Sequence, residues 1–208
     1  MTSNNVLITG ASSGIGLATA RLLASRGYRV VGTCRRPETA PSIPGVQLIA
    51  MDQADPASVE QGFAHALKTL GHIDVLINNA GYGLNKPFTQ SNVADEIQVL
   101  RILCEAPMRL AHAVLPQMIA RNSGIIINVS SVAAWITGGH YSAMKSYLMV
   151  LSESLHTELA ETAVKVCSLA PGFTHTEFHQ RGKMKMDSFP KFMWLDADNV
   201  VITAWEDA

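Results

Sequence analysis

Tyr141 and Lys145 stand four residues apart in the stretch GGHYSAMKSY, residues 138–147. Four residues is about one helical turn, so on a helix both side chains lie on one side. The pairing is either a proton-transfer couple or an ordinary pair on a helix surface. A helix over 141–159 would carry Met144, Leu148, Leu151, Leu155 and Leu159 as one apolar stripe. Tyr141 and Lys145 fall at the edge of that stripe, where side chains are partly buried. The residues three or four positions from Lys145 are Tyr141, Ser142, Leu148 and Met149, none of them acidic. The salt bridge that would make Lys145 an ordinary surface cation is therefore unavailable. His140, next to Tyr141, reads as a loop histidine at a pocket rim rather than as a base.

A second chemical feature is the stretch VLITGASSGIGLATARLL, residues 6–23, which reads as strand, tight turn and helix with Gly10, Gly14 and Gly16 at the junction. Glycine there lets a backbone approach a pyrophosphate with no Cβ intervening. The helix starting near Ile15 then presents free N–H groups and its positive dipole end. The alternative is a merely structural turn. The end of the second strand bears on which dinucleotide would bind, because an acidic residue there accepts from a ribose 2′-hydroxyl. The chain instead has GTCRRPE, with Arg35 and Arg36 after Cys34. Two guanidiniums suit a 2′-phosphate, which favours NADP(H) over NAD(H). The alternative is a pair of solvated arginines, with Glu38 available to either.

These residues need a scaffold. Apolar, β-branched runs at 5–9, 28–33, 46–50, 73–78, 124–130 and 164–170 alternate with helical stretches at 15–26, 56–70, 92–121 and 141–161. Near-continuous apolar strands belong to parallel sheets covered on both faces, and their alternation with helices predicts an α/β, Rossmann-like doubly wound sheet. A final helix reads over 196–208, with Asp196 or Asp198 as its N-cap. With no repeat, low-complexity tract or linker, residues 1–208 read as a single domain.

In its motifs the chain resembles the single-domain branch of the short-chain dehydrogenases/reductases, from residue 5 to about 200. TGASSGIG (9–16), NNAG (78–81), NVSS (128–131), YSAMK (141–145) and PGFTHT (171–176) occur in the family's order on the expected elements. The resemblance implies that Tyr141 is the general acid toward a carbonyl oxygen, or the base in oxidation. Lys145 would then bind the nicotinamide ribose and stabilise the phenolate, since an unperturbed tyrosine pKa is about 10. Ser131, with Ser130 as the fallback, would hydrogen-bond the substrate oxygen. The implied cofactor contacts are Gly10, Ser12, Ser13, Gly14, Ile15 and Gly16 in the first turn, and Arg35, Arg36, Asp52 and Gln53 after the second and third strands. Asn79, Ala80 and Gly81 would line the adenosine side, and Pro171, Gly172 and Thr174 or Thr176 the nicotinamide side. Tyr141 and Lys145 would touch the cofactor as well.

The chain departs from the family pattern in three places. Leu103 stands where the family carries an asparagine that holds a water in the proton relay, and a leucine side chain cannot hydrogen-bond. Proton resupply to Tyr141 is then slowed or runs through another group. Only ten residues separate Ser131 from Tyr141, a short loop. No seventh strand follows the last helix, so the sixth strand would expose an edge unless a partner covers it or the chain is a shortened form of a longer one.

Composition sets the outer bounds. Of the 208 residues 48% are hydrophobic and 16% charged, which suits a well-cored domain rather than disorder. A net charge of −1 argues against nucleic-acid binding; the one basic cluster, RGKMK at 181–185, reads as a solvated loop. Cys34, Cys104 and Cys167 are well separated, which fits a reduced, cytoplasmic compartment. No apolar run is long enough to span a bilayer, and metal-ligating spacing is absent. Phe173, Phe178, Met184, Met186, Phe189, Phe192, Met193 and Trp194 form either an apolar lid (176–195) over the site or a core plug beneath an irregular loop. A lid would select an apolar ketone or alcohol, as in a carbonyl reductase. The family resemblance implies a homodimer or homotetramer built on the helices at 92–121 and 141–161. The rival reading is a dinucleotide-binding sensor or interaction protein of little catalysis on the same fold.

Overall fold

The computed structural model describes residues 4–84, 86–176, 190 and 193–207. Six strands form one parallel sheet: β1 (Asn5–Thr9), β2 (Arg29–Cys34), β3 (Val46–Ala50), β4 (Val75–Asn78), β5 (Gly124–Val129) and β6 (Val164–Leu169). Their order is β3-β2-β1-β4-β5-β6, so the chain winds one way from β1 and then returns to continue the other way from β4. Such a reversal opens a crevice beyond the carboxyl ends of β1 and β4, where ligands bind in doubly wound folds.

The strands are apolar on both sides because both faces are covered. Leu7, Leu76 and Ile126 point into one core with α2 (Pro56–Leu70) and α4 (Ala106–Arg121). Val6, Ile8, Val75, Ile77 and Ile127 point the other way, toward α1 (Gly14–Ser25). That alternation is the two-residue period of a strand. The second core is closed by the last helix, α6 (Ala197–Asp207), whose Trp205 meets Tyr28 edge-on at 5.2 Å. Helix starts follow local chemistry: Asp55 caps α2 by accepting from Ala57 N, ahead of Pro56. Asp196, rather than Asp198, caps α6, accepting from the amides of Asp198 and Asn199.

The helix expected over 92–121 is divided. It runs as α3 (Val93–Leu100), a π-helical turn (Arg101–Glu105) and α4. Pro107 explains the break: it has no N–H for the carbonyl of Leu103, so the ladder slips, and Ala106 N bonds back to Arg101 O instead. Helix α5 (His140–Glu158) starts one residue earlier and ends sooner than expected. After β6 a two-residue strand β7 (Phe173–Thr174) pairs in parallel with β8 (Trp194–Leu195). Most of the expected lid, including Phe178, Met184, Met186, Phe189 and Phe192, lies outside the described residues, as does the basic stretch 181–185. Among the described residues no seventh strand joins β6, and no helix is long and apolar enough to cross a membrane.

Candidate active site

A cleft of about 320 Å³ lies at the carboxyl ends of β1, β4, β5 and β6. Its floor on one side is the glycine turn, with Ser13, Gly14 and Ile15 among its lining residues. Ser13 sits at the N-cap of α1 without a side-chain capping bond, and the first turn carries no acidic residue. The helix start is therefore left to an anion, the arrangement that holds a pyrophosphate. The backbone demands glycine here. Gly14 has φ +55°, and a Cβ on Gly16 would fall 2.4 Å from both Gly10 O and Asn79 Nδ2. Asn79 ties the turn to β4: its Nδ2 donates to Thr9 O at 2.9 Å and to Gly10 O, while its own amide donates to Thr9 Oγ1. The cradle fits a dinucleotide phosphate.

The opposite side of the cleft carries Ser131, Tyr141 and Lys145. Ser131 follows β5 and caps the short 3-10 turn Val132–Trp135, its Oγ accepting from Ala133 N at 3.1 Å. It is also hydrogen-bonded to Tyr141. Ser130 lines the cleft as well, but its hydroxyl donates to Lys145 O at 2.7 Å, so Ser131 is the serine bonded to Tyr141. Lys145 is deeper than the stripe argument placed it, only 4% exposed, and its Nζ donates to Val129 O at 2.6 Å. The ammonium stands 5.7 Å from the Tyr141 ring centroid. Burial pushes the Tyr141 phenol up to about 12, against the pull of the Ser131 bond, and pulls Lys145 down to about 8. Leu103 is fully buried beside them: a side chain on Gly81 would meet its Cδ2 at 2.7 Å and Lys145 Nζ at 3.9 Å.

The remaining predicted residues separate into two groups. Gly81, Pro171, Gly172, Thr174 and Thr176 line the cleft with Asn79, and Thr174 Oγ1 donates to Gly172 O. Gly10, Ser12, Gly16, Ala80, Arg35, Arg36, Asp52 and Gln53 do not line it; they follow or flank the ends of β1 to β4. Arg35 and Arg36 are exposed after β2, and neither forms an ion pair with Glu38 among the described residues. Asp52 Oδ1 accepts from Ala54 N. Gln53 is turned inward, its Nε2 donating to Met51 Sδ at 2.8 Å. A glutamine buried two residues past a strand finds the nearest polarizable partner inside the core.

Sequence reasoning missed several residues. Tyr82 lines the cleft; its hydroxyl is raised by burial and by Asp95, and lowered by Arg35. Its place directly after NNAG was the available signal. Val132 and Ile136 supply an apolar wall, with Trp135 exposed beside them. His140 is not a free rim residue: its Nδ1 bonds Glu96 Oε2 at 2.6 Å. No sequence signal joined two residues 44 positions apart.

The family model for short chain dehydrogenases matches residues 4–186. A serine 3-dehydrogenase from Agrobacterium fabrum is 35% identical over 186 residues, covering 85% of this chain and 74% of that protein. A 3-ketodihydrosphingosine reductase from Bacteroides thetaiotaomicron is 35% identical over 177 residues, covering 83% of this chain and 65% of that one. Among solved structures, a short-chain dehydrogenase from Sphingobium yanoikuyae in complex with NADPH superposes with a TM-score of 0.87 at 28% identity, covering 98% of this chain and 83% of that one. A serine dehydrogenase complexed with NADP+ gives 0.83 at 28% identity, over 97% and 87%. The doubly wound sheet, the glycine cradle and these similarities converge: the chain belongs to the short-chain dehydrogenase family of oxidoreductases.

Proposed function

We propose that this chain interconverts a carbonyl and an alcohol with NADP(H), with Tyr141 as general acid in reduction and general base in oxidation. The observation that carries the reading is the wall of the cleft opposite the glycine cradle, where Tyr141 is bonded to Ser131 beside the buried Lys145. The chemistry a bound nicotinamide dinucleotide supplies is hydride transfer to or from the carbonyl carbon. Ser131 and Tyr141 hold the carbonyl oxygen, and Tyr141 Oη gives its proton as that oxygen gains charge. Lys145, as a cation, stabilises the phenolate that remains. In this reading Gly10, Ser12 to Gly16, Asn79, Ala80 and Gly81 bind the pyrophosphate and adenosine, and Pro171, Gly172, Thr174 and Thr176 the nicotinamide. Arg35 and Arg36 take a 2′-phosphate, with Asp52 on the adenine. The NADPH- and NADP+-bound neighbours support that choice, as does a probable NADP-dependent dehydrogenase of Haemophilus influenzae that is 33% identical over 199 residues.

The relatives' names point to different substrates, so the cleft itself supports the assignment of an apolar one. Val132, Ile136 and Phe173 line it, and Phe173 packs on Trp194 at 5.7 Å where β7 meets β8. Residues 1–208 then act as one domain, with 176–195 as the substrate lid. Exposed Val93, Ile97, Leu100 and Met108 along α3 to α4, with Tyr147 and Val150 on α5, support a homodimer or homotetramer. The rival, an NADP(H)-binding sensor, is favoured by one observation: Lys145 Nζ is engaged by Val129 O and walled by Leu103. NADPH oxidation over a panel of bulky apolar ketones decides between them, with Tyr141→Phe as control. Turnover that Tyr141→Phe abolishes supports the enzyme; tight NADPH binding with no turnover on any ketone supports the sensor.

A further inference from the structure

A second cavity, about 390 Å³, shares Tyr141 with the dinucleotide cleft as a common wall. His140 and Glu96 line it, and its rim is formed by the exposed Lys86, Phe88 and Thr89. Glu96 is only 7% exposed, yet it is charged: burial works against ionisation, but hydrogen bonds from Ser91 and His140 outweigh it and hold the carboxyl below its usual range. The His140 ring is fixed twice, by Glu96 at 2.6 Å and by Phe88 edge-on at 5.4 Å. A carboxylate accepting from Nδ1 sets the tautomer and leaves Nε2 to exchange a proton.

Each reduction takes the Tyr141 proton, which must be replaced before the next. Among the described residues the Lys145 side offers no polar route: Leu103, Met144 and Cys104 around it are 0%, 2% and 8% exposed, and Nζ donates to a backbone carbonyl. Cofactor and substrate occupy the cleft side. The second cavity is polar at His140 and Glu96, open at its rim and roomy enough for several waters.

We propose that His140, held by Glu96, returns the proton to Tyr141 through water in this cavity, in place of a route past Lys145. This rests on the reading of Tyr141 as general acid. In reduction the Tyr141 O–H bond breaks as the alcohol O–H forms. The phenolate then takes a proton from a cavity water, which takes one from His140 Nε2, and neutral His140 is reprotonated from solvent at the rim. The net proton consumed with NADPH is thus a solvent proton. His140 is a relay and not a catalytic residue. The titratable groups facing it are Glu96 on α3, Cys104 and Glu105 on the π-helical turn, Lys86 after β4, and Tyr141 and Tyr147 on α5. Glu96 is the one in direct contact.

The test is steady-state NADPH oxidation with a ketone the wild type reduces, from pH 6 to 9. His140→Ala lowers kcat at least tenfold with KM within about twofold, and imidazole restores it while pyrazole, of like shape but far less basic, does not. Glu96→Gln, which removes the carboxylate that fixes Nδ1 of His140, lowers kcat with KM again within about twofold. Should His140→Ala not fold, His140→Gln carries the same comparison. An unchanged kcat and pH profile, or equal restoration by imidazole and pyrazole, overturns the relay. Wild-type turnover in Tyr141→Phe overturns instead the assignment of Tyr141, and the relay falls with it.

Discussion

Lys145→Met should stabilise the fold while removing activity, and the gain should depend on pH in a way no other residue reproduces. Burial lowers the Lys145 pKa from 10.5 to about 8, a gap that corresponds to about 3 to 4 kcal/mol at about 1.4 kcal/mol per pH unit. The sign follows from proton counts. Between about 8 and 10.5 the unfolded chain holds a proton on Lys145 that the folded chain has released, so stability rises with pH across that window. Below about 8 both states are protonated and the folded state bears the whole cost. Against this, Lys145→Met removes the donor to Val129 O, worth about 1 to 2 kcal/mol. The variant should therefore be more stable than wild type by about 2 kcal/mol at pH 7, and wild type should gain about 2 kcal/mol on it by pH 9.5. Urea unfolding of both proteins at pH 7, 8, 9 and 9.5 measures this directly. The thiols of Cys34 and Cys167, raised by burial, lower stability as pH rises in both proteins alike; Cys104 is also pulled down by the Lys145 charge, so both proteins carry Cys104→Ala and the difference then isolates Lys145. Parallel stability curves for the two proteins would refute the assignment of a strained, buried ammonium.

Arg35→Ala with Arg36→Ala should weaken NADPH binding at least tenfold and leave NADH binding within twofold, read by fluorescence titration; a parallel loss for both would remove the role of the arginines as 2′-phosphate ligands. Gly16→Ala should cost more than about 3 kcal/mol and abolish dinucleotide binding, since its Cβ would fall 2.4 Å from Gly10 O; a stable, binding-competent variant would contradict the packing of the turn. Asn128→Ala should cost about 2 to 4 kcal/mol in urea unfolding. It strips the acceptor from Asn78 Nδ2 and the donor from Ser152 Oγ in a fully buried row, where Asn78 Oδ1 already has no partner among the described residues.

Much of the scaffold was legible before any coordinates. The six strand runs matched within two residues because strands buried on both faces must be apolar throughout, and few other elements produce such short, unbroken runs. The π-helical turn was less legible. Pro107 marks a missing donor, but whether a helix kinks, ends or slips into a π turn depends on what packs against it, here Leu103 against Gly81. The pairing of β7 with β8 was illegible, since two-residue strands have no period to read.

What the sequence by itself determined is the set of local requirements: glycines where the backbone turns from strand to helix, a tyrosine and lysine one helical turn apart, and arginines in place of an acid after the second strand. Those follow from φ/ψ sterics and period, which act over a few residues. Only the tertiary structure decided which groups share a solvent-poor space. It turned Gln53 inward to Met51, gave Ser130 to Lys145 O and left Ser131 to Tyr141, and brought Glu96 to His140 across 44 residues. It also sank Lys145 to 4% exposure. Burial and long-range pairing set the charge each group carries, and both are properties of the packed molecule, not of spacing along the chain.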